Sequence, residues 1–398
     1  MIVLNKYEVL KKYFNYDFFR GVQEEVIDAL LKKEKLLAIM ATGSGKSICF
    51  QIPGIILDGL TIVISPLISL IIDQVRSLKK HKINTAYLIS DMHFFEVNNV
   101  YQALENNELK FLYLSPEKLM NKKFISVIKK VKISQIIVDE AHSISMWGLD
   151  FRKSYQDIPL FISNLESKPN IAFFTATAPD KVVKDIMKVM GLYDLKIIKT
   201  TSDRENLFYG LVKPKIKFDY LLKYLMRHQN EKVIVYVLTR KRCEELFEKL
   251  SILNFKTTFF HGGLNNEVKK ENQKSFSTNN KNIMIATNAF GMGIDISDIR
   301  SVLLYDLPIS LEDLSQQFGR CSRDRNRGEC ILIFDEKDIK TCQYFIDSDK
   351  EKLKQFKKVL QFVETKDCLH QFLVNYFDKE KICKCFNCSN CLKHKMRK

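Results

Sequence analysis

A chain of 398 residues, 46% of them hydrophobic, is too long for one ordinary core, so we expect two or three domains. It has no run of 18 apolar residues, and its N-terminus carries lysine and acid too early for a signal peptide; this excludes membrane-spanning classes and predicts a soluble, cytoplasmic protein. The formal charge of +16 favours a polyanionic partner, although a lysine-rich composition alone would give the same sign.

Short apolar runs alternate with helical stretches from about residue 36 to residue 175. The runs are LLAIM, TIVIS, AYLIS, FLYLS, QIIVD and IAFFT. This alternation predicts a parallel sheet with helices on both faces. Several runs lead directly into polar or glycine-rich loops, which would share the carboxyl edge of the sheet, where ligands bind.

The first such loop, MATGSGKS, is typical of a phosphate-binding turn that opens a helix. Its glycines let backbone N–H groups face phosphate oxygens, Lys46 can reach the β- and γ-phosphates, and the Ser47 hydroxyl suits Mg²⁺. Met40 stands where the full G-x-x-x-x-G-K-S pattern has its first glycine, so a chance glycine-rich turn is the alternative. The predicted nucleotide-binding residues of the loop are Thr42, Gly43, Ser44, Gly45, Lys46 and Ser47.

Further along, the sequence QIIVDEAH delivers two carboxylates at the end of a predicted strand. Hydrolysis of a phosphoanhydride needs one carboxylate to hold hydrated Mg²⁺ and another to orient or deprotonate water. We predict the first role for Asp139 and the second for Glu140. A lone DE pair is usually an acidic surface turn, but here it follows a phosphate-binding loop in the order that catalysis requires. We predict that His142 forms a hydrogen bond across the cleft between two domains and senses the γ-phosphate.

A second alternating series follows a break near residues 200–206 and predicts another α/β domain. Its runs are VIVYVL, KTTFFHGG, IMIAT, SVLLYDLP and CILIF. Four of the 13 arginines then fall within eight positions, in a loop of this second domain. The planar fork of arginine suits a γ-phosphate, so we predict that this loop acts in trans on ATP bound to the first domain; a solvated basic turn is the alternative. The four residues are Arg320, Arg323, Arg325 and Arg327.

Together these motifs resemble those of superfamily 2 helicases and, more narrowly, the RecQ family of DNA helicases, over about residues 10 to 392. The resemblance implies an α/β fold with two tandem RecA-like parallel-sheet domains, at 1–202 and 203–342, followed by a small helical zinc-binding subdomain with a basic tail at 343–398. It implies an ATP-dependent 3′–5′ DNA helicase that moves on single-stranded DNA, acts in repair or recombination, and uses ATP, Mg²⁺ and Zn²⁺.

The resemblance also assigns nucleotide contacts. The segment YFNYDFFRGVQEEVI resembles the adenine-recognition motif, with Tyr16 as the stacking ring and Arg20 and Gln23 as polar readers. The family usually has Pro-Gly where this chain has Gly21-Val22, so the turn is expected to differ. In IATNAFGMGID, Asp295 is implied for the ribose.

Contacts with DNA and with the γ-phosphate are implied in the same way. The motif VISPLISLIIDQV implies that Ser65 contacts the DNA strand, and Thr287 is implied to contact the DNA backbone. The motif QQFGRCSRD implies Arg323 as the arginine finger and Arg320 as its partner. Ser322 stands where the family usually has glycine, which puts the contact of this loop in doubt.

Five of the ten cysteines lie in the last 31 residues, and three have the spacing C-x-x-C-x-x-C. Thiolates at this spacing can close a tetrahedral Zn²⁺ site; free thiols and an iron–sulfur cluster are the alternatives. Cys383 is a fifth candidate, which the interval found in the family disfavours. The predicted zinc ligands are Cys368, Cys385, Cys388 and Cys391.

The only tryptophan lies in SISMWGLDFRKSY, directly after the DEAH residues. In the RecQ family this position is an aromatic-rich loop, and aromatic faces stack on bases of any sequence. The resemblance therefore implies DNA contacts by Trp147, Phe151, Arg152 and Tyr155. A tryptophan buried in the core is the alternative.

The chain ends seven residues after Cys391, before the winged-helix wedge that many RecQ proteins have. We therefore weigh a DNA-dependent ATPase with weak unwinding against an efficient helicase. An RNA helicase or remodeller with the same motor, a nucleic-acid-binding protein with a decayed motor, and a subunit that borrows its wedge are further alternatives. The expected nucleic-acid partners are single-stranded and tailed duplex DNA, and the expected protein partner is a single-strand-binding protein or another repair factor. We expect a monomer that does not bind membranes.

Overall fold

Both series of apolar runs form parallel sheets in the computed structural model, which describes residues 5–41, 43–145, 152–200, 203–290, 296–347, 349–377 and 385–395. The chain divides into two compact units, residues 1–200 and 201–398. No helix of the described ranges is long and apolar enough to cross a membrane.

The first unit contains a seven-stranded sheet with the order β3-β4-β2-β5-β6-β1-β7, in which the strand pairs are parallel. Its strands are β1 (Leu36–Ile39), β2 (Leu60–Ile64), β3 (Thr85–Leu88), β4 (Phe111–Leu114), β5 (Ile133–Val138), β6 (Asn170–Thr175) and β7 (Lys196–Lys199). Its helices are α1 (Lys6–Val9), α2 (Gln23–Leu31), α3 (Lys46–Ile56), α4 (Ile68–Lys80), α5 (Phe94–Glu105), α6 (Lys122–Ile128), α7 (Ile158–Ser163) and α8 (Asp180–Met190). Shorter helical turns cover Leu10–Phe14, Pro116–Lys118, Ala141–Ile144 and Lys153–Asp157.

The central strands are apolar throughout because both faces of the sheet are buried. On β5, Ile136 packs into one core cluster and Ile137 into the other. The register pairs Ile64 of β2 with Val138 of β5 and with Leu114 of β4. Residues that follow these three strands therefore meet at one edge of the sheet.

The second unit contains a six-stranded sheet with the order β10-β11-β9-β12-β13-β8, again with parallel pairs. Its strands are β8 (Leu207–Val212), β9 (Lys232–Tyr236), β10 (Thr257–Phe260), β11 (Ile283–Ala286), β12 (Ile299–Leu304) and β13 (Gly328–Ile333). Its helices are α9 (Lys217–Arg227), α10 (Arg240–Ile252), α11 (Asn266–Ser277), α12 (Leu311–Phe318), α13 (Lys337–Ile346), α14 (Lys350–Glu364), α15 (Leu369–Phe377) and α16 (Ser389–Lys395).

The C-terminal helices belong to this second unit. Phe356 and Phe362 of α14 and Leu369 of α15 are buried in the same cluster as Val302 and Leu304 of β12. The predicted fold class, two parallel-sheet α/β domains followed by a helical zinc-binding region, is confirmed. Two edge strands, β7 and β8, were not among the predicted runs.

Candidate functional site

The loop between β1 and α3 turns through two left-handed glycines. Gly43 has φ 82° and Gly45 has φ 81°. Residues with a Cβ adopt this backbone conformation only with strain. A Cβ on Gly45 would also overlap Nε2 of Gln23. Glycine is therefore required at position 45 by the backbone and by a neighbour.

The donors of this loop suit an anion. The 11-residue helix α3 begins at Lys46, directly after the glycines, so its N-terminal N–H groups border the loop. Lys46 Nζ donates to the Met40 carbonyl at 3.2 Å, and the buried hydroxyl of Ser44 has no hydrogen-bond partner within the described ranges. Thr42 lies outside the described residues. An orphaned hydroxyl beside a cationic side chain and a helix N-terminus fits the phosphates of a nucleotide.

The predicted adenine-reading segment is tied to this loop through Gln23, which is 4% exposed. Its Nε2 donates to the Ser44 carbonyl at 2.8 Å, and its Oε1 accepts from the Arg20 N–H at 2.9 Å. The Arg20 guanidinium lies 5.2 Å from the centre of the Tyr16 ring, and both side chains are exposed. Gln23 would have to exchange one of these bonds to read an adenine edge, so that role stays a prediction.

Asp139 and Glu140 follow β5 at the carboxyl edge of the sheet. Asp139 is 4% exposed, and its Oδ1 accepts from the Glu140 N–H at 3.0 Å. Burial, and then the negative charge of Glu140, raise the pKa of Asp139 to about 7, while the positive charge of Lys46 acts in the opposite direction. A buried carboxylate with this pKa fits a divalent cation, whose charge would restore its ionised form. Glu140 itself has φ 47°, a strained backbone of the kind that clusters at functional sites.

His142 connects two strand ends within the first unit. Its Nδ1 lies 3.0 Å from Oγ1 of Thr175 and 3.4 Å from Oε2 of Glu140. The Thr175 hydroxyl in turn donates to the Thr177 carbonyl at 2.9 Å. Thr175 ends β6, so this contact joins the DEAH turn to the end of the IAFFT run. Sensing of the γ-phosphate by His142 stays a prediction.

The predicted aromatic loop is anchored on both sides, while Trp147 and Phe151 themselves lie outside the described residues. Ser145 Oγ donates to Asp185 Oδ2 at 2.6 Å before the loop. After it, the Arg152 N–H donates to the Ser143 carbonyl at 3.1 Å. The Arg152 side chain is 38% exposed and lies 3.6 Å from Glu117 Oε1. Arg152 is thus held at the surface, beside the helical turn Pro116–Lys118.

Two of the predicted DNA contacts, Tyr155 and Ser65, have buried side chains, which argues against them. Tyr155 is fully buried, and its hydroxyl donates to the Asp139 carbonyl at 3.0 Å, so its ring packs in the core and cannot stack on a base. Ser65 is 1% exposed, and its N–H donates to the Leu114 carbonyl at 3.1 Å, which continues the pairing of β2 with β4 by one residue. Tyr155 instead supports the backbone of the acidic turn.

In the second unit, the arginine loop follows α12. Arg320 is 9% exposed, and the positive charges of Arg320 and Arg323 oppose the burial that raises the pKa of Tyr236 to about 12. The Tyr236 hydroxyl itself donates to the Phe290 carbonyl at 3.0 Å. Thr287, directly after β11, is half-buried with its N–H donated to the Phe260 carbonyl at 3.1 Å, and Asp295 lies outside the described residues.

Ser322 occupies the place of the expected glycine with a left-handed backbone, φ 44°, and is fully buried. Its hydroxyl accepts from Arg300 Nη1 at 2.9 Å, and its carbonyl accepts from Arg204 Nη2 at 3.0 Å. A Cβ on Gly328 would overlap the Ser322 hydroxyl. The serine is therefore built into the turn, and the sequence pattern did not identify Arg204 or Arg300 as its supports.

Four thiols converge near the C-terminus of the second unit. Their Sγ atoms all lie within 4.8 Å of one another, with 3.3 Å between Cys368 and Cys385 and 3.9 Å between Cys385 and Cys391. Sulfur ligands at about 2.3 Å from a tetrahedral Zn²⁺ lie ~3.8 Å apart, so the set, completed by Cys388, fits zinc. These are the four predicted ligands; Cys383 lies outside the described residues.

The cysteine segment is joined to the edge strand β8. The Tyr209 N–H donates to the Asn387 carbonyl at 3.3 Å, and the Leu211 N–H donates to Ser389 Oγ at 3.1 Å. Asn387 Nδ2 donates to the carbonyls of Glu205 and Leu207 at 2.9 and 3.0 Å. A metal held by these thiols would therefore fix the terminal segment to the sheet.

One residue of the nucleotide site was missed at the level of sequence. Gln74 on α4 donates from Nε2 to Ser47 Oγ at 3.2 Å. It lies on the same helical face as the buried Ile71, Val75 and Leu78. A polar side chain within an apolar stripe was the signal that could have identified it.

Three family models match consecutive parts of the chain. They are the DEAD/DEAH box helicase model at residues 20–186, the helicase conserved C-terminal domain at 216–325, and the RecQ zinc-binding model at 336–392. The second and third fall within the second unit.

Curated relatives match along nearly the whole chain. The ATP-dependent DNA helicase RecQ of Bacillus subtilis is 37% identical over 96% of this chain and 66% of its own length, and that of Synechocystis is 32% identical over 94% and 81%. The putative ATP-dependent RNA helicase R290 of Acanthamoeba polyphaga mimivirus is 35% identical over 96% and 71%. The chain spans 62–66% of the RecQ helicases of Bacillus subtilis, Pasteurella multocida and Haemophilus influenzae.

Among solved structures, Mss116p bound to single-stranded RNA and AMP-PNP superposes with a TM-score of 0.72 at 18% identity, over 87% of this chain and 75% of that chain. This likeness concerns the fold. Because the three family models follow one another in order and RecQ relatives match over 94–97% of this chain, the chain belongs to the RecQ family of DNA helicases.

Proposed function

We propose that this chain is an ATP-dependent 3′–5′ DNA helicase that couples ATP hydrolysis to movement on single-stranded DNA in repair or recombination. The observation that carries the proposal is the buried Asp139, which accepts from the Glu140 N–H at the end of β5, in the same parallel sheet whose strand β1 leads into the loop with Lys46. A cation, a buried metal-binding carboxylate and a second carboxylate at one sheet edge are the groups that ATP hydrolysis requires.

The residues of the first unit then take separate roles. Lys46 and the N-terminus of α3 bind the β- and γ-phosphates, while Ser47 and Asp139 would hold Mg²⁺. Bound Mg²⁺ neutralises charge that develops on the phosphate oxygens. Glu140, which is 19% exposed and strained, orients the attacking water and accepts its proton.

The second unit contributes cationic and metal-binding groups. Arg323, with Arg320 as its partner, is proposed to stabilise charge on the γ-phosphate, and the turn that carries them is held by Ser322. Cys368, Cys385, Cys388 and Cys391 are proposed to hold a structural Zn²⁺, since four thiolates leave no open ligand position.

For DNA, we propose contacts by Trp147, Phe151, Arg152 and Thr287. The hydrogen bonds of Ser145 and Arg152, which flank Trp147 in the sequence and follow Glu140 closely along the chain, support a direct connection between DNA binding and hydrolysis. We expect Trp147→Ala to bind ATP as the wild type does but to lose stimulation by DNA. Equal stimulation of the two proteins would assign Trp147 to the core.

The test compares ATP turnover with and without single-stranded DNA in the wild type, Lys46→Ala and the exposed-lysine control Lys79→Ala. We expect turnover that DNA stimulates, its loss in Lys46→Ala and its retention in Lys79→Ala. Strand displacement on 3′-tailed and 5′-tailed duplexes then measures polarity. Activity on the 5′ tail alone would contradict the proposed direction, and displacement of short duplexes alone would identify an ATPase with weak unwinding.

An RNA helicase or remodeller is the second candidate, because a relative at 35% identity carries the name of a putative RNA helicase. RNA and DNA oligonucleotides of equal length and sequence separate the two, each titrated as an activator of ATP turnover. Stronger activation by RNA would replace the DNA proposal.

We also propose that the protein acts inside the cell as a monomer, with a single-strand-binding protein or another repair factor as partner. The charge of +16 supports a polyanionic substrate. Sedimentation of the protein alone and with DNA measures the oligomeric state.

A further inference from the structure

The partly buried side-chain amide of Gln74 contacts Ser47 at one end, and its other end has no hydrogen-bond partner in the described part of the chain. Its Nε2 donates to Ser47 Oγ at 3.2 Å. Its Oε1 is buried and has no hydrogen-bond partner within the described ranges. A buried acceptor without a partner is costly, and native structures keep few of them.

The position of Gln74 in α4 does not require a polar side chain. Ile71, Val75 and Leu78 on the same face are buried and apolar, and a leucine at position 74 would occupy similar volume without an orphaned oxygen. The unpaired oxygen is therefore an acceptor that a bound ligand can use.

The chemistry of Oε1 selects that ligand. An amide oxygen only accepts hydrogen bonds, and phosphate oxygens also only accept, so a phosphate cannot pair with it. Mg²⁺ usually keeps several of its water molecules in proteins, and those waters are donors. A water in the hydration shell of Mg²⁺ bound at Ser47 is thus a matching partner.

We infer that Gln74 is a positioning residue for the Mg²⁺–nucleotide complex: its Nε2 fixes the Ser47 hydroxyl and its Oε1 accepts from a water of the Mg²⁺ hydration shell. The inference rests on the proposed function, which places Mg²⁺ at Ser47 and Asp139. Because α4 follows the SPLIS loop, Gln74 also connects the nucleotide site to the helix behind that loop.

The experiment measures binding of a fluorescent ADP without DNA and without turnover, across a series of Mg²⁺ concentrations. The variants are Gln74→Leu, Gln74→Glu and the control Arg76→Ala, whose side chain on the same helix is 67% exposed. We expect Gln74→Leu to need about tenfold more Mg²⁺ for the same nucleotide affinity, a typical effect of losing an outer-shell partner. Affinity in EDTA should not change, Gln74→Glu should lose less because it keeps an acceptor, and Arg76→Ala should match the wild type.

Thermal unfolding of the same proteins separates positioning from folding, and we expect Gln74→Leu to be at least as stable as the wild type. An unchanged Mg²⁺ requirement in Gln74→Leu overturns the inference, and so does an equal loss of affinity in EDTA, which would indicate a packing role. A wild type whose nucleotide binding does not depend on Mg²⁺ would instead overturn the proposed metal site, and with it the proposed function.

Discussion

Gly45 combines a left-handed backbone with close contact to Gln23, and Gly45→Ala would violate both requirements. A Cβ at φ 81° costs about 1–2 kcal/mol. The same Cβ overlaps Nε2 of Gln23 and would break its hydrogen bond to the Ser44 carbonyl, which costs about 1 kcal/mol more. We therefore expect Gly45→Ala to lower the free energy of unfolding by about 2–3 kcal/mol.

Gly191 provides the matched control, because it has φ 62° and open space around a Cβ. Gly191→Ala should cost only the backbone contribution, about 1 kcal/mol. In the double variant with Gln23→Ala, the two single costs should overlap by about 1 kcal/mol, since both remove the same hydrogen bond.

Urea unfolding of the nucleotide-free proteins measures these free energies, and titration with a fluorescent ADP measures the accompanying loss of nucleotide affinity. Equal costs for Gly45→Ala and Gly191→Ala would show that contact with Gln23 does not constrain the loop. Strict additivity in the double variant would lead to the same conclusion.

Three further outcomes are expected. Tyr155→Ala should lower the free energy of unfolding of the first unit by about 3–5 kcal/mol, measured by urea unfolding. The control Tyr193→Ala, at a 76% exposed site, should change it by less than about 0.5 kcal/mol. A loss of DNA affinity at unchanged stability would instead support Tyr155 as a DNA contact. Cys388→Ser should lose bound zinc, measured by elemental analysis, whereas Cys243→Ser should keep it. Burial raises the pKa of Glu312 above its usual 4.5, so the folded state holds this proton more tightly than the unfolded state, and the contribution of Glu312 to stability falls as the pH rises above 4.5. Glu312→Gln should therefore gain stability relative to the wild type at pH 8 but not at pH 4.5, and a constant difference in urea midpoint would contradict this.

Local patterns in the sequence predicted most of the sheet strands and the four cysteines whose thiols converge. Central parallel strands are apolar on both faces, so runs such as QIIVD stand out. The cysteine spacing places Cys385, Cys388 and Cys391 within a few residues of one another, while Cys368 lies 17 residues earlier than Cys385. The edge strands β7 and β8 gave weaker signals. On β7, Lys196, Ile197 and Lys199 are exposed. In β8, Gly210 interrupts the run of large apolar side chains.

Contacts between distant residues could not be predicted in the same way. Tyr155 was assigned to the DNA surface because it lies in an aromatic-rich segment, but its partner is the Asp139 carbonyl, 16 residues earlier. The Gln23 amide reaches the Ser44 carbonyl, 21 residues away. Whether a loop side chain faces solvent or the core depends on such partners, and one-dimensional spacing does not contain them.

The pairing of the cysteine segment with β8 has a consequence for solubility. An open edge strand offers unpaired N–H and C=O groups on which other chains can assemble, and here Asn387 and Ser389 occupy those of Tyr209 and Leu211. If zinc holds that segment in place, depletion of zinc would uncover the edge before the sheet itself unfolds. The first effect of zinc depletion would then be self-association of folded protein through β8, so bound zinc would prevent aggregation.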